Sequence, residues 1–201
     1  MKVQIRKGVF ETNSSSTHAL CICENDEVDF AKIKQDYKKV ITIEGGEFGW
    51  WFDVHYDVQT KLDYMFTMIT ECCNNEDAAL KLMNKMKALL KSIGVTIRYR
   101  FDTIRIKHST TYSDYYFAEF HDKDGYKFEG YIDHSDSTIL DLLDNKDMFF
   151  KFLFGKESML VTGNDNDDDF DDYMNKRGLD NACHMFNPEK VKDWNILYKS
   201  N

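Results

Sequence analysis

Apolar positions along this chain change period several times, and each change marks an element. Residues 3–10 and 17–23 read as two β-strands joined by the polar run ETNSSSTH, and a short helical stretch follows from Phe30 to Tyr37. Residues 40–43 are a β-branched run closed by Gly45 and Gly46, and residues 50–56 predict an aromatic strand. Val58, Leu62, Met65, Phe66 and Ile69 then recur at helical spacing as far as Cys72 or Cys73. A second helix follows, with Asn75 as its N-cap and Glu76 and Asp77 favourable to the dipole in the first turn. Its apolar stripe is Ala79, Leu82, Met83, Met86, Leu89, Leu90 and Ile93, and Gly94 is its stop.

From Val95 the period becomes two. Val95, Ile97, Tyr99 and Phe101 share one face and Arg98 and Arg100 the other, but after Asp102 the phase inverts, with Ile104 and Ile106 alternating with Arg105 and Lys107. The inversion predicts a bulge or tight turn near Asp102 and Thr103, because a one-residue slip exchanges the two faces of a strand. Asp124 and Gly125 supply a turn between two aromatic runs, which predicts a hairpin. Residues 136–154 read as helical with an interruption near Asn145, and residues 159–161 as a short buried strand. Trp194, Ile196, Leu197 and Tyr198 make the last segment apolar enough to dock on the body. One proline, ten glycines and no repeat or low-complexity linker point to a single α+β domain over residues 1–201. The expected architecture is an antiparallel, hairpin-rich sheet with two central helices spanning residues 58–93 packed on it.

Composition narrows the class. At 201 residues, with 42% hydrophobic and 14% aromatic side chains, the chain buries a substantial core, which excludes a disordered protein despite a charged fraction of 30%. No basic head precedes a long apolar run, and no window approaches the roughly eighteen apolar residues of a membrane span, so a cytoplasmic protein without membrane association is expected. Cys21, Cys23, Cys72, Cys73 and Cys183 form an odd set without a spaced framework, consistent with reduced thiols. The net charge of −9 is unevenly spread: residues 78–108 carry eight basic side chains against Asp102 alone, so the rest of the chain stands at −16. That polarity either presents an electrostatic surface to a partner or is resolved by internal pairing.

Two stretches carry candidate chemistry. In ETNSSSTH, hydroxyl and amide side chains either cap a turn between strands or build an anion-binding loop. In the second case Asn13, Ser14, Ser15 and Ser16 hold a nucleotide-like phosphate, and Glu11 and His18 flank it as an acid/base pair. The stretch IEGGEFGWWFD offers Glu44, Glu47, Trp50 and Trp51 beside three glycines, either as a nucleoside or peptide pocket or as a glycine turn with its tryptophans in the core.

The remaining clusters say less about chemistry. Cys21, Cys23, Cys183 and His184 lack the knuckle spacing of a zinc site and read as small core residues. GNDNDDDFDDY imitates a calcium loop, but Asp169 stands where a glycine belongs and Asn175 where a bidentate Glu belongs. An acidic helix start, packed through Phe170 and Tyr173, fits better. The basic face of Arg98, Arg100, Arg105 and Lys107 near Tyr112, Tyr115 and Tyr116 has the ingredients of a single-strand platform, which the overall charge opposes. No nucleophile elbow is present, and no cofactor, metal or direct nucleic-acid contact is expected.

RKGVFETNSSSTHAL, IEGGEFGWWFD, YIDHSDS and FGKESMLVTGNDND together resemble a family of proteins without assigned activity from Gram-positive bacteria and their phages, whose members begin with a similar FETNSSS-type segment. The resemblance runs over most of the chain and implies a low-GC Gram-positive host or its prophage, and a cytoplasmic accessory role. By analogy with small acidic phage proteins, the expected function is a non-enzymatic inhibitor of a host or antiviral-defence protein that handles nucleic acid, of the anti-CRISPR kind. Its contact surface would be Asp165, Asp167, Asp168, Asp169, Asp171 and Asp172. The alternative is a protein that binds or converts a nucleotide or phosphorylated small molecule, using Glu11 to His18 with Glu44 and Trp50.

Overall fold

The computed structural model describes residues 16–49, 51–109, 115–122, 124, 127–128, 131–132, 137–164, 169, 172–173, 176 and 194–199. The expected strand at residues 3–10 lies outside them. The architecture is α+β. Its main sheet has four antiparallel strands in the order β11-β1-β10-β4, comprising β1 (Ser16–Cys23), β4 (Asp53–His55), β10 (Met159–Asn164) and β11 (Trp194–Lys199). β1 is flanked on both sides, by β10 from Ser16↔Asn164 to Cys21↔Met159 and by β11 from His18↔Lys199 to Cys23↔Trp194. Both of its faces are also covered: Leu20 and Ile22 enter the main core, while Ala19 and Cys21 join Met159 and Val161 in a smaller one.

The α+β expectation holds, with two refinements. The main sheet is joined by long-range pairs rather than hairpins, and among the described residues hairpin pairing falls in the antiparallel sheet β6-β7-β8 (Thr103–Ser109, Tyr115–His121 and Lys127–Phe128). Two short parallel pairs complete the set: β2 (Ile41–Ile43) with β5 (Ile97–Tyr99), and β3 (Glu47–Phe48) with β9 (Tyr131–Ile132). The phase inversion at Asp102 has a cause other than a bulge. β5 and β6 belong to different sheets, and the chain passes between them with Phe101 buried and the Asp102 N–H donating to the His121 carbonyl at 3.1 Å.

The helices fall where their periodicity puts them. α1 (Phe30–Asp36) starts at Asp29, whose carboxylate accepts from the Lys32 N–H at 3.0 Å. α2 (Val58–Cys72) is capped by Asp57 on Thr60 N–H at 2.8 Å, and α3 (Glu76–Ser92) by Asn75 on Ala78 N–H at 2.9 Å. The stretch after residue 136 begins as a 3₁₀ helix (Ser137–Asp144), and Asn145 then caps α4 (Lys146–Phe154). α2 is the centre of the molecule. Lys61, Leu62 and every residue from Tyr64 to Thr70 are buried, as befits a helix surrounded by other elements. Among the described residues no helix is long and apolar enough to cross a membrane.

Two of the eight basic side chains of residues 78–108 are paired with acidic ones among the described residues. Lys85 of the basic segment pairs with Asp144, and Arg100 with Glu44 at 3.1 Å.

Candidate functional site

The stretch IEGGEFGWWFD splits into two short strands and lines two different cavities. Its first half is strapped to α2: Asp63 accepts from the Glu44 and Gly45 N–H groups at 2.8 and 3.1 Å, and Thr67 Oγ1 accepts from the Gly46 N–H at 3.0 Å. This fixes one wall of a cavity of about 930 Å³ between the end of α1 and the start of α2, which Glu44 lines with Tyr37, Lys38, Lys39, Gln59 and Asp63. The Asp63 carboxyl is raised from its usual value by burial, against the hydrogen bonds from Gln59, Glu44 and Gly45 that lower it. These contacts spend the carboxylate on holding the loop.

The second half builds a smaller cavity, of about 240 Å³. β3 brings Glu47 to its side, and Phe48 packs edge-on against Tyr64 and His55, with ring centroids 5.2 and 6.5 Å away. Gly49, at φ 96°, turns the chain where a side chain would be strained. Beyond the turn, β4 places Asp53 and His55 on one face by its two-residue period, with His55 Nε2 3.7 Å from Asp53 Oδ2. Asp53 Oδ1 accepts from the Val54 N–H at 2.8 Å, which fixes the carboxylate. Thr162, paired with Asp53 across β10, closes the floor.

Trp51 lines this cavity and is 73% exposed, so of the two readings of this stretch its place fits a pocket rather than a tryptophan in the core.

An acidic segment docks on the other face of β4. Tyr173 packs on Phe52 with ring centroids 5.4 Å apart, its hydroxyl hydrogen-bonds with that of Tyr56 at 3.2 Å and reaches Met159 Sδ at 3.4 Å. Docking through Tyr173 leaves Asp169 and Asp172 exposed in helical backbone, with Asp172 paired to Lys176 at 3.5 Å.

The residues expected to form an anion-binding loop are placed unevenly. Ser16 opens β1 opposite Asn164. His18 is fully buried on the core face of β1, its ring 5.9 Å from that of Tyr64, so it forms no exposed rim for proton transfer. Glu44 lies at the other cavity, paired with Arg100. Glu11, Asn13, Ser14, Ser15 and Trp50 fall outside the described residues, as do Asp165, Asp167, Asp168 and Asp171 of the acidic tract and Cys183 and His184. Cys21, Cys23 and Cys73 are buried thiols, and among the described residues no three His, Cys, Asp or Glu side chains are placed to hold a metal ion.

Sequence reasoning missed Asp53 and His55. The signal was present: in WFDVHYD the two alternate on a strand, so they had to share a face. No family model, curated protein or solved structure matches the chain.

Proposed function

We propose that the protein works by binding rather than by catalysis: an accessory inhibitor, of the kind carried by phages and prophages of low-GC Gram-positive bacteria, that occupies the basic nucleic-acid groove of a host or antiviral-defence protein. One observation carries this reading. Tyr173 seats the acidic segment on Phe52 and Tyr56, so that Asp169 and Asp172 stand exposed on a docked element. Acidic groups held on a docked element supply the steering field of a protein interface.

The test is capture from a low-GC Gram-positive lysate by the full chain, compared with a variant in which Asp165, Asp167, Asp168, Asp169, Asp171 and Asp172 are all Asn. The expected outcome is a nucleic-acid-binding protein held by the wild type, displaced by added double-stranded DNA, and retained about tenfold or more less well by the variant. A partner held equally by both, or one indifferent to DNA, overturns the proposal.

A further inference from the structure

We infer that the cavity beneath Trp51 is a seat for an arginine side chain of the partner. This deepens the binding function proposed above and rests on it. Glu47 and Asp53 border the cavity, and the largely exposed Trp51 lines it with them. A guanidinium matches this set in three ways. It stacks on an indole face, where the ring quadrupole attracts a cation. It forms paired N–H···O bonds to carboxylates, and Asp53 is already oriented by the Val54 N–H. Its flat apolar faces are weakly hydrated, so they tolerate the Phe48 ring that lines the cavity better than an ammonium does.

The local charge selects the same occupant. Glu47 and Asp53 give the cavity a formal charge of −2, with His55 adding a positive charge only when protonated. A phosphate is repelled here, whereas a basic nucleic-acid groove presents arginines in quantity. Trp51 is also the most exposed of the large apolar side chains among the described residues, and an exposed tryptophan bordering a cavity is the arrangement found at interface hot spots.

The test follows the Trp51 indole N–H resonance of the full chain, assigned with the variant W51F, during titration with the capped peptide acetyl-Gly-Arg-Gly-Arg-Gly-amide. The same peptide with citrulline in place of arginine keeps the shape and removes the charge. The expected result is a saturable Trp51 shift with the arginine peptide, about tenfold weaker with citrulline and weakened similarly by E47Q/D53N. An unmoved indole, an equal response to citrulline, or no effect of E47Q/D53N overturns the arginine seat. Asn at 53 keeps the oxygen that accepts from Val54, and Trp51 is exposed, so these changes leave the fold intact. The two proposals fail separately. A partner captured equally by W51A and the wild type overturns the seat and leaves the binding function standing, whereas an arginine-peptide response with no captured partner does the reverse.

Discussion

Tyr64 carries a hydroxyl into the middle of the core, fully buried between Phe48 and His18, with no hydrogen-bond partner among the described residues. Burial holds that phenol well above its usual pKa, so the cost is one of desolvation without compensation. Tyr64→Phe removes the orphaned group and keeps the ring packing. It is expected to stabilise the protein by about 1 kcal/mol, read as a rise in Tm of about 2–4 °C; a loss of stability would mean that the hydroxyl has a use. Glu71 presents the parallel case with a charge. Its Oε1 is buried without a partner, and burial raises its pKa to about 8. Between the ordinary carboxyl range and pH 8 the folded state keeps a proton that the unfolded chain releases, so this contribution is complete at low pH and lost as pH rises through 8. Urea unfolding of the wild type at pH 5.5 and 8 should therefore show the lower pH favoured by this group. Glu71→Gln should shrink that difference by about 1–3 kcal/mol, and an unchanged pH profile would refute the assignment.

Elements meet most tightly where α4 runs into β10. The Asp26 carboxylate accepts from the Ser158 N–H and Oγ–H at 2.9 and 2.7 Å and from the Glu157 N–H, while the buried Lys61 ammonium donates to the Phe152 and Ser158 carbonyls at 2.8 and 2.7 Å. Burial lowers the Lys61 pKa to about 8, opposed by the charges of Asp26 and Asp57. Gly155 permits this junction: a Cβ there would collide with the Asp26 carboxylate and the Lys151 carbonyl. Gly155→Ala is therefore expected to cost about 1–3 kcal/mol in chemical unfolding, and a neutral result would show that the Asp26 turn is free to move. Nothing in the sequence pattern marks this junction, because its partners stand more than 90 residues apart. The legible elements were those with local causes. α3 carries its cap at Asn75 and its stop at Gly94, and the β7-β8 hairpin carries its turn residues. Sheet membership was not legible, since β1 is buried on both faces and its run of apolar residues does not say which strands flank it. The site was legible in part. IEGGEFGWWFD was visible as an unusual stretch, but its division between two cavities depends on α2 holding Gly45 and Gly46 through Asp63 and Thr67.

At the scale of the whole molecule, α2 is the common neighbour. It touches α3, α4, the 3₁₀ helix, β2, β7 and β9, and the principal core cluster draws residues from β1 through β10. Met65, Phe66 and Ile69 at its middle are fully buried. Chain topology reinforces this, because β1 lies between β10 and β11 and so joins residues near 20 to residues near 160 and 197 in one sheet. Such long-range closure couples the two halves of the sequence, and a single cooperative transition is expected. The check is to follow urea unfolding in the W51F background by far-UV circular dichroism, which reports α2, α3 and α4, and by tryptophan fluorescence, to which Trp194 on β11 contributes. Coincident midpoints support one folding unit. Deleting residues 194–201 strips one flank of β1 and removes the Trp194 signal, and should then lower the helical midpoint read by circular dichroism. If the deletion left the helical midpoint unchanged, the main sheet and the helices would be separable units, and the acidic segment docked on β4 through Tyr173 could be excised from the helical body without loss of fold.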